Sequence, residues 1–184
     1  MGKAKTKKNL PVRLDLRRDF DDIYAHLADR VRGFSPSGSN VLGKAGLVKA
    51  VEVGFEYAQV GWLVVVFDTR PDADRDDGEW TSRIKKKNLL ERPHWLEAGE
   101  ANMDGPITVV QLDGTEAELR RHTELAKILG EVVKAVVLKA RADGVFAGLP
   151  KAPGCELDVE HFSGYYGWPA NKKARRAKEN LAEP

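Results

Sequence analysis

Several groups of residues in this chain have types and spacings that could do chemistry. Gly38-Ser39-Asn40-Val41-Leu42-Gly43-Lys44 carries the glycine and lysine spacing of a loop that cradles phosphates, and the apolar run Leu63 to Phe67 ends in Asp68, where such proteins hold magnesium. The residue after the lysine is Ala45, however, which has no hydroxyl for the metal. A charged helical pattern ending in Arg30-Val31-Arg32 precedes the loop, where a buried strand is required, so nucleotide binding is not expected.

Asp72, Asp74, Asp76, Asp77, Gly78 and Glu79 place acids at the spacing of a calcium loop, but the register fails. Counted from Asp72, the required glycine is Asp77 and the bidentate glutamate is Arg83. A solvated, self-repelling hairpin loop is the better reading. The histidines, His26, His94, His122 and His161, show no zinc-site spacing, and one cysteine, Cys155, cannot build a structural cluster. No metal and no cofactor is expected. Cys155 and His161 could meet across a loop and a strand, yet Pro153-Gly154-Cys155 offers no helix N-terminus or basic neighbour to activate a thiol. Met1-Gly2-Lys3-Ala4-Lys5-Thr6 fits the permissive myristoylation pattern and reads better as a plain lysine-rich start.

Two clusters survive this scrutiny. Asp68 and Arg70 stand at the end of the most apolar segment, with Glu79 and Trp80 returning opposite them; Asp68, Arg70, Glu79, His94 and His161 are the candidate catalytic set. The same aspartate and arginine could simply pair and pin a hairpin. His161, Tyr165, Tyr166 and Trp168, spaced by Gly164 and Gly167, are aromatics with polar tips, suited to an interface or to plugging a core.

The elements that must position these residues follow from periodicity. Leu16, Phe20, Ile23, Tyr24, Leu27 and Val31 recur at helical spacing and predict an N-terminal helix near 15–32, ended by Gly33 and a Ser/Pro/Gly loop. Val51 to Tyr57 alternates apolar residues with Glu and Gly and is read as a strand near 49–57, although helical spacing also fits. Trp62 to Phe67 reads as a strand buried on both faces, near 62–69, forming an antiparallel hairpin with its predecessor. Further strands are expected near 79–84 and 157–162. Thr115 with Glu118 reads as a capping box opening a long helix near 115–143, stopped by Gly144. Grouped strands with helices before and after them indicate α+β, with a mainly antiparallel sheet packed against both helices.

The 184 residues suffice for one domain, expected at 11–169 between basic tails at 1–10 and 170–184. The tails hold nine basic residues against two acids, which leaves 21 basic against 26 acidic residues in the body, a charge of −5. Ends rich in lysine and alanine without large apolar residues are expected to be mobile. The single cysteine suits a reducing compartment, the lysine-rich start has no apolar stretch behind it, and no apolar run reaches the roughly 18 residues of a membrane helix. A cytoplasmic protein without membrane contact is expected.

The acidic body and the lack of a complete catalytic motif favour a non-enzymatic protein-binding module. Asp72, Asp74, Asp76 and Asp77, with Tyr165, Tyr166 and Trp168, would contact a basic partner, as in an immunity-type bacterial protein that captures a nuclease-like toxin. One alternative is a small enzyme with its pocket near Asp68, Arg70 and Glu79. Another is weak, sequence-independent nucleic-acid contact through the tails. The sequence sets no oligomeric state.

Overall fold

The structure, a computed structural model, describes residues 12–43, 46–56, 62–70, 89–91, 107–119, 122–162 and 164–169. The fold is α+β. Strand β1 (Val12–Asp15) leads directly into helix α1 (Leu16–Arg32). Asp15 caps that helix by accepting from the Arg17 N–H, and the Gly33 N–H closes its other end on the Asp29 carbonyl. After the short β2 (Val41–Leu42) come the two central strands, β3 (Val48–Glu56) and β4 (Trp62–Asp68), then β5 (Leu89–Glu91). Strands β6 (Ile107–Val110) and β7 (Glu116–Leu119) form a hairpin ahead of helix α2 (His122–Ala142). A short 3-10 turn (Val145–Gly148) then precedes β8 (Lys151–His161) and β9 (Gly167–Trp168).

These strands make two sheets, both of mixed direction. The larger runs β2-β4-β3-β8-β9, with β5 also on β4. β3 is antiparallel to β4, Ala50 facing Asp68 and Glu56 facing Trp62, as the expected hairpin requires. On its other edge it runs parallel to β8, from Ala50 opposite Glu156 to Phe55 opposite His161, so the sheet mixes both directions. The smaller sheet places β6 between β1, parallel, and β7, antiparallel.

Alternation along β3 divides the large sheet into two unlike faces. Val51, Val53 and Phe55 join Val65, Phe67 and Val159 in the main core, against Ile23, Leu27 and Val31 of α1 and Leu129, Val133 and Val136 of α2. The smaller sheet adds Leu14, Ile107, Val109 and Leu119 to that core. The opposite face carries Leu42, Val64 and Val66, with Trp62 packed against them, in a second, smaller cluster.

Several boundaries differ from expectation for identifiable reasons. The helix expected from 115 begins at His122, and Glu116–Leu119 is strand. Thr115 is therefore no capping box: its N–H and hydroxyl both donate to Asp113 Oδ1, at 2.9 and 2.7 Å, within the turn that joins β6 to β7. Gly114 follows at φ +84, so Asp113-Gly114 is hairpin chemistry. Strand β8 starts at Lys151, six residues before the expected 157. Its pairing with β3 is irregular between Val48 and Ala50, where Pro153 and the positive-φ Gly154 fall, and becomes regular from Glu156. The strand expected at 79–84, the tails at 1–10 and 170–184 and the acidic loop lie outside the described residues. No helix among the described residues is long and apolar enough to cross a membrane.

Because Leu129 is fully buried on the core face of α2 while Leu138 on the same helix is 41% exposed, truncation separates core from surface. Leu129→Ala is expected to lower unfolding stability by about 2 to 5 kcal/mol, measured by denaturant titration. Leu138→Ala should stay within about 0.5 kcal/mol of the parent.

Candidate functional site

At the C-terminal end of β4, Asp68 is fully buried and the Arg70 side chain only 11% exposed. The guanidinium grips the carboxylate at both oxygens, Nε to Oδ1 at 3.1 Å and Nη2 to Oδ2 at 3.0 Å, and the Arg70 N–H donates to Oδ1 at 2.9 Å. Thr69 Oγ1 donates to the Leu42 carbonyl, tying this corner to β2. Gly43, at φ +101, passes so close that a Cβ there would sit 2.6 Å from Thr69 Oγ1. The two residues singled out at this strand end are therefore brought together as a forked, buried ion pair, a geometry that fixes the strand end.

His161 is elsewhere. It lies on β8 opposite Phe55 of β3, while Asp68 lies opposite Ala50, five residues away along β3. At the rise of an extended strand this is roughly 17 Å. The structure thus separates His161 from Asp68 and Arg70, and the remaining members of that set, Glu79 and His94, lie outside the described residues. Cys155 and His161 likewise do not meet, since both lie on β8, six residues or roughly 20 Å apart along one strand. The glycine and lysine loop stands between α1 and β3 instead of between a strand and a helix, which removes the context a phosphate loop needs. Among the described residues no group of His, Cys, Asp and Glu is arranged to hold a metal ion.

The aromatic corner at the end of β8 is built in two layers. The inner layer is fixed. His161 is fully buried, its Nε2 is 3.2 Å from Glu56 Oε1, and its ring stands edge-on to Phe55 with centroids 5.1 Å apart. Its backbone N–H donates to the Tyr166 carbonyl, and the Gly164 N–H donates back to the His161 carbonyl, which closes the turn. Gly164 adopts φ +75 to make that turn.

Tyr166 lies half-buried against α2 at Gly130, where any Cβ would collide with its ring. Its hydroxyl donates to Glu131 Oε1 at 2.8 Å, while Lys134 Nζ holds Glu131 Oε2 at 2.9 Å. Burial, reinforced by the Glu131 carboxylate, pushes the Tyr166 hydroxyl well above the usual tyrosine range. Burial alone would raise Glu131, but Lys134 and Tyr166 outweigh it and hold the carboxyl below its ordinary value. Trp168 also packs partly buried against the main core.

The outer layer faces solvent. Phe162 is 50% and Tyr165 47% exposed, the former edge-on to Trp62 with centroids 5.7 Å apart, the latter against the His161 ring at 5.4 Å. Of the C-terminal aromatics, Tyr165 thus points outward, while Tyr166 and Trp168 pack inward. Acids border them on the second face of the sheet: Glu52 and Glu56 on β3, Asp158 and Glu160 on β8, with Asp158 opposite Glu52 and Glu160 opposite Gly54. None of these carboxylates is without a partner. Asp72, Asp74, Asp76 and Asp77 fall outside the described residues.

Sequence reasoning missed Glu56, Gly130, Glu131 and Phe162. Gly130 left a signal, a glycine inside a strong helical pattern, where it costs about 1 kcal/mol and so marks a close approach. The carboxylates left none, because an acid on a helix or strand is ordinary until its partner is known.

Compared with known proteins, the chain matches no family model, no curated protein and no solved structure.

Gly130→Ala should test the corner directly. Alanine favours the helix, yet its methyl has no room beneath Tyr166, so a net loss of about 1 to 3 kcal/mol is expected together with displaced Tyr166 ring resonances in NMR spectra. Removing the ring in a Gly130→Ala/Tyr166→Ala double variant should leave a smaller loss than the two single changes sum to.

The titrations are signed as well. The Tyr166 pKa is raised on folding, so its contribution is complete below the ordinary value of 10.0 and is lost as pH rises through the folded value. Glu131 is depressed, so its contribution is present above 4.5 and is lost as pH falls through the folded value. Tyr24, bonded to the Asp143 carboxylate, is also raised, so ultraviolet titration should show late-ionising tyrosine absorbance of which the Tyr166 part is lost in Tyr166→Phe.

Proposed function

We propose that the protein is a non-enzymatic binding module whose aromatic corner docks a basic protein partner. The observation that carries this reading is the pairing of two half-exposed aromatics, Phe162 and Tyr165, with a fixed support beneath them. The buried His161 and the half-buried, hydrogen-bonded Tyr166 hold the turn, so Tyr165 is presented with little freedom to lose on binding. Rigid aromatic side chains on a supported corner are efficient anchors, since each offers a large contact area for two torsions.

Charge supports the sign of the partner. The chain between the tails carries −5, and the partly exposed Glu52 and Glu160 lie on the sheet face that ends at the corner. An acidic surface attracts a basic partner and speeds encounter, while the aromatics then slow release. The acidic residues Asp72, Asp74, Asp76 and Asp77 belong to the proposed contact surface on the same electrostatic ground. In this reading the protein works in the bacterial cytoplasm, where an immunity-type role is to occupy a basic, nuclease-like toxin.

The test uses the full chain purified from its own cells. A partner rich in lysine and arginine should co-purify at fixed stoichiometry. Tyr165→Ser should weaken that complex more than tenfold by calorimetry while leaving the melting temperature unchanged, because the side chain is half-exposed. Neutralising Asp72, Asp74, Asp76 and Asp77 together to Asn should slow association and flatten its salt dependence. Absence of a stoichiometric partner, or a complex indifferent to both sets of changes, overturns the reading.

A further inference from the structure

A cleft of about 390 Å³ opens between the β6–β7 turn and α2, outside the proposed contact surface and within the size range of small-ligand sites. Gln111, Leu112 and Asp113 form one wall; Lys127, Ile128, Glu131 and Val132, one face of the helix, form the other. Val132 is buried, Ile128 half-buried and Leu112 38% exposed, so the floor is apolar and the rim charged.

The rim charges are arranged unevenly. Glu131 is already satisfied, one oxygen by Tyr166 and the other by Lys134. Asp113 is oriented through Oδ1 by the Thr115 N–H and hydroxyl, which hold its carboxyl below the ordinary range and therefore ionised, and its Oδ2 is not used by either bond. Lys127 lines the same cleft, yet no ion pair joins it to Asp113 or to another acid among the described residues. Opposite charges held apart across an apolar floor are complementary to an occupant that carries both signs. A simple cation would leave Lys127 repelling it, and a simple anion would face Asp113.

We propose that this cleft binds a small zwitterion with an apolar side chain, of the α-amino-acid class. The ammonium is taken by Asp113, the carboxylate by Lys127, and the side chain lies over Leu112, Ile128 and Val132.

L-leucine is the probe, added to the full chain with backbone amide NMR as the readout. Its two single-charge relatives, 3-methylbutylamine and 4-methylpentanoate, form the comparison arms. Saturable shifts confined to residues 111–113 and 127–132 are expected for leucine, with each relative binding at least about tenfold more weakly. Lys127→Gln and Asp113→Asn should each cost leucine about tenfold. Both side chains are exposed, and asparagine keeps the Oδ1 acceptor for Thr115, so a dispersed, otherwise unchanged spectrum certifies the fold. The proposal is overturned if leucine gives no saturable shift at millimolar concentration, if either relative binds as well, or if both variants bind leucine like the parent.

Discussion

The register of β3 between its two neighbours is the constraint on which the rest depends. Val53 is opposite Val65 on one side and Val159 on the other, and Phe55 is opposite Leu63 and His161. Because side chains alternate with a period of two, a slip of one residue on either side would send Val51, Val53 and Phe55 to the wrong face and bring glutamates beneath the helices. The apolar face therefore fixes the pairing of both partners at once. The mixed direction follows from the connections: β4 returns after residues 57–61 and runs antiparallel, whereas β8 arrives after the small sheet and α2 and runs parallel.

That register also decides what the two ends of the sheet become. One end closes on Asp68 and Arg70, where a buried carboxylate is matched by a forked cation, an arrangement that is costly to break from either side. The other end places His161 beside Phe55 and Glu56 and sends the chain into the turn that carries Tyr165 and Tyr166. Gly130 lets α2 approach this turn within the thickness of an aromatic ring, and Glu131, one residue on, receives the hydroxyl. The corner is thus a joint between the sheet and the long helix. Its outer aromatics borrow their rigidity from the inner ones.

The small sheet contributes differently. It completes the core through Leu14, Ile107, Val109 and Leu119, and its turn reaches across to α2. Glu131 stands at the boundary of the two features, bonded to Tyr166 of the corner and lining the cleft beside the turn. An electrostatic change at that single residue would be felt by both features, which share one face of α2.

Much of the framework was legible in the sequence because it rests on local periodicity. The N-terminal helix, expected at 15–32 and found at 16–32, has its cap, its apolar stripe and its terminating glycine within one segment. Strands 48–56 and 62–68 announced themselves by alternation and by an unbroken apolar run. Where two local signals competed, the reading failed: Thr115-Glu116-Ala117-Glu118 fits a capping box, and the Asp113-Gly114 turn that decides for a hairpin lies just before it. The parallel β3–β8 pairing had no local signature, since it joins segments about a hundred residues apart. The candidate site shows the same division. Asp68 and Arg70 are neighbours in sequence, so their pairing could be anticipated. The distance of His161 from them, its approach to Glu56 and the seat of Tyr166 on Gly130 depend on how far strands slide past one another and how closely a helix approaches a turn. Only the tertiary structure sets those quantities, because they arise from packing between segments that carry no information about each other along the chain.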